Sequence, residues 1–136
     1  MDNSKILEEL FENDFATREL NLPGTIKIIV RTIDVESQES LEEALANLRD
    51  ADITNRQFLQ AYALELAART LVSWGKFKPK EDVESAKEFL RKKSVNFIDK
   101  IVKEQTQLEK DVRAALNIED IDKTFFPEEK APQEQH

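Results

Sequence analysis

The chain has 136 residues, enough for one domain with its own core but few for two. Its formal charge of -8 argues against a surface that follows nucleic-acid phosphates, so nucleic acid is not an expected partner. No segment has the length and apolarity of a membrane span, and no cysteine is present to form a disulfide or bind a metal. We therefore expect a cytoplasmic domain that does not enter a membrane.

The spacing of apolar residues predicts a mainly α fold. We expect one compact helical domain over residues 1–117, with four to five helices and a short N-terminal β-strand or hairpin at about residues 17–35. Beyond Asn117 the composition changes to charged residues, glutamine and proline without a sustained period. This change predicts a flexible acidic tail over residues 118–136.

The first strong β signal is the run TIKIIVRTIDV from Thr25 to Val35. Alternation predicts that Ile26, Ile28 and Val30 point toward the core, while Ile29 and Arg31 lie on the wet face. An apolar residue on a wet face is either an isolated surface residue or a contact for a partner. Ile29 and Arg31 are therefore candidate partner-binding residues.

A strand needs hydrogen-bonding partners along both edges. Thr17 to Asn21 offers one short arm, and the Pro23-Gly24 pair favours a wide connecting loop over a tight hairpin turn. The other edge has no evident partner in the sequence. We therefore expect the strand to support self-association into a homo-oligomer.

A docked helix is predicted from Ser37 to Arg49, followed by a longer one that opens at a capping box formed by Thr54 and Gln57. The long helix is predicted from Asn55 to Trp74 and ends at Gly75. Its apolar residues cover more than one stripe, which predicts a central helix and a groove that binds a partner helix. The candidate contacts in and just after it are Phe58, Tyr62, Leu66, Trp74 and Phe77.

Two more helices are predicted after the helix that ends at Gly75. Pro79 and Asp82 introduce the first, which runs through Lys93, and the second lies between Val95 and Leu116. Ser94 either caps the second helix or lies inside one continuous helix, and a break at Ser94 is favoured. Steps of three and four residues place one apolar seam on the second helix, formed by Ile98, Ile101, Gln105, Leu108, Val112 and Ala115. The repeat is short for a coiled coil, so packing on the Asn55 to Trp74 helix is favoured.

Phe125 and Phe126 are an unusual pair in a polar segment. Either the pair docks back on the domain or it anchors a partner. We treat both residues as candidate partner contacts.

Motifs that carry chemistry are scarce. The only histidine is His136, and with Gly24 and Gly75 as the only glycines neither a GxGxxG nor a GxxxxGK(S/T) phosphate-binding loop can form. Clustered carboxylates such as Asp50 and Asp52 are interpreted as solvated helix faces rather than as a magnesium site. We expect no catalytic residue, no cofactor and no metal.

Two segments carry a resemblance to a known family. LPGTIKIIVRTIDVESQESLEEAL leads from an extended element into an acidic helix, and LRKKSVNFIDKIVKEQTQLEKDVRAAL forms the last long helix. This order resembles the small tail assembly chaperones of tailed bacteriophages. The matching positions are Val30, Arg31, Thr32 and Ile33 in the first segment and Ser94, Phe97, Ile98, Asp99, Ile101, Val102, Leu108, Val112 and Leu116 in the second.

The resemblance implies a non-enzymatic protein of the bacterial host cytoplasm. It would keep the tape measure protein soluble and recruit tail-tube subunits during tail morphogenesis. Two other classes stay open: a structural or adaptor subunit of a tail or baseplate, which would remain in the virion, and a small metal-dependent hydrolase that uses acidic residues.

Overall fold

The computed structural model describes residues 3–80 and 82–118. Over this range the chain is mainly α, with five helices and one small antiparallel sheet, as predicted. The elements in chain order are α1 (Asn3–Asn13), β1 (Thr17–Glu19), β2 (Ile28–Arg31), α2 (Val35–Arg49), α3 (Asn55–Thr70), β3 (Leu71–Trp74), α4 (Val83–Arg91) and α5 (Val95–Ala115).

The sheet has the order β1-β2-β3, and both pairs are antiparallel. The predicted arm at Thr17 and the wide loop before β2 are confirmed, since β1 pairs with β2 across residues 20–27. The prediction of an open edge is wrong, because β2 is the central strand and β3 pairs with its second edge. The strand is also shorter than predicted: Asp34 caps α2 instead, and its carboxylate accepts a hydrogen bond of 2.7 Å from the Ser37 N–H.

The long helix ends earlier than predicted. α3 stops at Thr70, and the next four residues form β3 without an intervening loop. Gly75 therefore does not terminate a helix. It has φ +62° in the turn after β3, where its N–H donates to the carbonyl of Lys27 at 2.9 Å.

Side-chain caps fix the starts of α3, α4 and α5. The capping box of Thr54 and Gln57 is present at the start of α3 with both hydrogen bonds. Asp82 caps α4, and Ser94 caps α5, which confirms the predicted break between these two helices. α5 ends in a left-handed turn at Asn117 with φ +59°, and the N–H of Ile118 donates to the carbonyl of Arg113.

Helix α5 connects the parts of the core. All six residues of the predicted seam are buried. The first half of α5 packs with α3, α4 and the sheet, while Leu108, Val112 and Ala115 pack with Ile6 of α1. A third cluster joins α2 to α3 through Leu41, Leu45 and Leu66. The central position predicted for α3 is confirmed, because it contacts α2, α4 and α5.

The seam contains one buried amide, Gln105, which is 2 % exposed. Its Nε2 donates to the carbonyl of Arg31 at 3.3 Å and to the Glu109 carboxylate at 2.6 Å. The same carboxylate accepts from the N–H of Ile33 at 2.8 Å. These bonds tie α5 to the segment between β2 and α2, and they explain why a polar residue occupies this seam.

A second set of polar contacts joins α2, α3 and α4. We call it the Glu65 cluster; its residues are Ser40, Glu65, Arg69 and Lys87. The Glu65 carboxylate lies 2.6 Å from Nη1 of Arg69 and 2.9 Å from Nζ of Lys87, and Arg69 also donates to Oγ of Ser40 at 2.9 Å. Burial works to raise the pKa of Glu65, but the hydrogen bonds and charges of Lys87 and Arg69 together hold it below its ordinary value. The ionised carboxylate is thus the form that the fold stabilises.

Arg69→Met should destabilise the fold by about 1–3 kcal/mol, because it leaves the Glu65 carboxylate with only Lys87 as its charged partner. Lys100→Met is the matched control, since it removes the more exposed ion pair with Glu104 and should cost less than about 1 kcal/mol. Denaturant unfolding of both variants measures the difference. Equal losses in the two variants would contradict the interpretation of the Glu65 cluster.

Glu109→Gln should change how stability depends on pH. Burial raises the pKa of the Glu109 carboxyl, and hydrogen bonds from Ile33 and Gln105 together with the charge of Arg113 only partly offset it. Because the folded pKa is the higher one, the stabilising contribution is complete below the ordinary value of 4.5 and is lost as the pH rises through the folded pKa.

The quantity to measure is the unfolding free energy of the parent protein minus that of Glu109→Gln, at a series of pH values. We expect this difference to decrease as the pH rises from below 4.5, because the amide does not titrate. Parallel profiles for the two proteins would show that Glu109 does not carry this pH dependence.

Candidate protein-binding surfaces

Within residues 3–80 and 82–118, the structure does not bring the predicted contact residues together. Those in this range occupy three places: the outer face of the sheet, the interface of α2 with α3, and the region around the end of β3. Only the region around the end of β3 combines exposed apolar groups with a local excess of positive charge.

The outer face of the sheet carries Ile29 and Arg31. Both side chains are half-buried, and Ile29 lies opposite Glu19 on β1 and Ser73 on β3. The Arg31 guanidinium lies 5.0 Å from the centre of the Phe15 ring, which is a cation–π contact within the chain. Ile28 and Val30 are buried as predicted, but Ile26 precedes the strand and is 60 % exposed, so its predicted inward position is wrong.

The α2–α3 interface contains Phe58, Tyr62 and Leu66. Leu66 is 5 % exposed, and the two aromatic side chains pack on the same cluster with residues of α2. Arg49 covers Phe58, with its guanidinium 5.6 Å from the ring centre. Helix α2 thus fills the side of α3 where these three residues lie, and a partner helix would have to bind elsewhere on α3.

Trp74 and Phe77 belong to an aromatic cluster at the end of β3. Trp74 contacts Phe89 and Phe97 edge to face, with ring centres 5.7 and 5.8 Å apart. Phe77 stacks on Phe89 at 4.0 Å. The ammonium group of Lys93 lies 4.5 Å from the Phe89 ring centre and 5.4 Å from that of Trp74.

An apolar cleft of about 130 Å³ lies beside this cluster, between α3, α4 and the start of α5. We call it the helix cleft; its lining residues are Gln60, Ala63, Leu64, Leu90, Arg91, Lys93, Val95, Ile98 and Asp99. Val95 is 53 % exposed, and Leu59, one turn before Ala63 on the same stripe, is 63 % exposed. An apolar cavity of about 150 Å³ holds a benzene molecule, so the helix cleft has room for one large side chain.

A larger cleft of about 450 Å³ lies between the starts of α2 and α4 and the end of β2. Its lining mixes both signs of charge, including Arg31, Asp34, Arg69 and Asp82. These four groups already have partners: the two aspartates cap α2 and α4, Arg69 pairs with Glu65, and Arg31 covers Phe15. The helix cleft, with its apolar lining, is the better candidate for a protein contact.

Sequence reasoning missed the exposure of Leu59, Val95 and Phe97. Leu59 and Val95 follow the caps Thr54 and Ser94 in helical stripes that otherwise become buried. Both residues lie within the first five positions of a helix, where a neighbouring helix or strand need not extend far enough to cover them. This position near a helix start was the one signal that the sequence offered. Phe125 and Phe126 lie outside the described residues.

Leu66→Ala should destabilise the fold by about 2–5 kcal/mol, because Leu66 is buried between α2 and α3. Leu59→Ala should change stability by no more than about 0.5 kcal/mol, because most of that side chain is exposed. Chemical denaturation of the pair checks whether the covered and open sides of α3 are assigned correctly. A large loss in Leu59→Ala would mean that Leu59 belongs to the core.

Within residues 3–80 and 82–118, no group of three or more His, Asp and Glu side chains is arranged to hold a metal ion. No helix in the same range is both long and apolar enough to cross a membrane. The chain matches no protein-family model, no curated protein and no solved structure.

Proposed function

We propose that this protein is a non-enzymatic tail assembly chaperone of a tailed bacteriophage. In this role it binds an amphipathic helix of the tape measure protein, keeps that protein soluble and recruits tail-tube subunits. Its place of action is the cytoplasm of the infected bacterium. The observation that carries the proposal is the helix cleft, where Val95 of the lining exposes apolar surface and Leu59, one turn from the lining residue Ala63, exposes more.

The geometry of the helix cleft suits a helix better than an extended strand. Its walls are the middle of α3, the end of α4 and the start of α5, so a fourth helix can pack against three existing ones. One large side chain of the partner would enter the recess between Leu64 and Val95. Residues one turn away on the partner would contact Leu59.

The polar rim adds a preference for charge. Arg91 and Lys93 border the recess, and Asp99 is the only acid in its lining. A partner helix with an apolar stripe and flanking acidic residues fits this rim. The resemblance of the two sequence segments to the phage tail chaperones supports the same reading, since those proteins bind a long helical partner.

Co-expression with a tape measure protein encoded beside this chain, followed by size-exclusion chromatography, tests the proposal. We expect a stable complex, and Leu59→Glu should weaken it by roughly 10- to 100-fold, because burying a leucine side chain contributes about 1.5–3 kcal/mol. Val35→Glu is the matched control, since Val35 is 77 % exposed at the start of α2 and away from the helix cleft.

Two results would overturn the proposal. One is a folded, co-expressed pair that never co-elutes. The other is a complex that Leu59→Glu and Val35→Glu weaken equally, because the helix cleft would then not be the contact. Analysis of purified particles separates a chaperone from a virion subunit, since only the subunit remains in the finished particle.

A further inference from the structure

The aromatic cluster at the end of β3 has a chemistry of its own. We call it the aromatic–lysine surface, formed by Trp74, Phe77, Phe89, Phe97 and Lys93. Phe97 is 45 % exposed, and the other three rings are half-buried. Nearby Ile26, 60 % exposed, approaches the backbone of Gly75 and extends the apolar area toward β2.

The charge of this region is opposite to that of the whole chain. Residues 74–93 contain seven Lys and Arg and four Asp and Glu, a balance of +3 in a chain of net charge -8. Lys76 and Lys78 flank Phe77 and are exposed, as is Lys92 next to Lys93. A concentration of lysines around open aromatic rings favours an occupant that combines acids with aromatic groups.

The chain itself contains a segment with that composition. Residues 119–129 hold five acidic residues and one lysine, a balance of -4, together with Phe125 and Phe126. This segment follows the last described residue, Ile118. We propose that the aromatic–lysine surface binds residues 119–129 of the same chain, with residues 119–124 extended along α5, Phe125 and Phe126 against the aromatic rings, and Glu128 and Glu129 near the lysines.

The length of the chain permits this contact. From Phe97 to Leu116, α5 spans about 29 Å at 1.5 Å per residue. Eight residues of extended chain from Ile118 to Phe126 cover about 27 Å, and the aromatic side chain supplies the remaining reach. The left-handed turn at Asn117 redirects the backbone as it leaves the helix. The bound segment must be almost fully extended, so the tether has little slack and the ring and charge contacts must hold the segment in place.

Trp74 provides a direct test because it is the only tryptophan of the chain and lies in the aromatic–lysine surface. Acrylamide quenching of its fluorescence is measured in the full chain and in the double variant Phe125→Ser, Phe126→Ser. We expect acrylamide quenching of Trp74 to increase by about twofold in the variant, because the tethered segment covers the ring and limits its collisions with acrylamide. Phe11→Ser is the matched control, since Phe11 is 81 % exposed on α1 and should leave quenching unchanged.

A second variant tests the charges independently. Lys76→Glu, Lys78→Glu should increase quenching of Trp74 as the phenylalanine variant does, and high salt should have the same effect on the parent protein. Unchanged quenching in both variants would overturn the proposal. The proposal would also be overturned if the difference in Trp74 quenching between the parent protein and the phenylalanine variant disappeared on dilution. The segment would then come from a second copy of the chain.

The quenching experiment uses only the purified protein. A negative result would therefore count against the aromatic–lysine contact and would say nothing about the helix cleft and its proposed partner. Conversely, Leu59→Glu should leave acrylamide quenching of Trp74 unchanged even if it loses tape measure binding. The two proposals therefore fail separately.

Discussion

The fold depends on burial of one face of α5. Strands of three and four residues do not make a sheet that is stable alone, and α1, with 11 residues, is shorter than a helix that persists in water without support. Both are stabilised by packing on the same 21-residue helix, whose seam contacts the sheet and α3 in its first half and α1 in its second. Removing this face would leave α1 and the sheet without their main apolar contact.

Polar contacts fix how the helices are positioned within that packing. Apolar seams tolerate sliding by a turn, whereas a buried amide or carboxylate is satisfied only at one position. Gln105 and Glu109 hold α5 against the end of β2, and the ion pair of Arg18 with Asp111 holds it against β1. On the other side of α3, the Glu65 cluster sets the positions of α2 and α4. The helix cleft and the aromatic rings lie on helices that these polar contacts help to position.

Local patterns predicted much of this architecture. The six-residue seam of α5, the capping box at Thr54 and the break at Ser94 all depend on spacings of about one helical turn between successive residues. Such short spacings can be recognised in the sequence without knowing the tertiary contacts. β3 was missed because Leu71 to Trp74 continues the helical apolar period of α3, and only pairing with β2 makes it a strand. The same distant pairing removed the predicted open edge of β2. The helix cleft could not be predicted either, since exposure of Leu59 and Val95 depends on where neighbouring helices end.

The order of elements along the chain has a consequence for synthesis. β1 and β2 pair locally, but their third strand arrives only after α2 and α3, and the helix that supports all of them comes last in the described chain. Chains leave the ribosome from the N-terminus, so the apolar faces of α1 and the sheet exist for a time without their partner. Folding is therefore completed only once α5 has emerged, and a nascent chain stalled before Ser94 presents those faces to the chaperones of the cell.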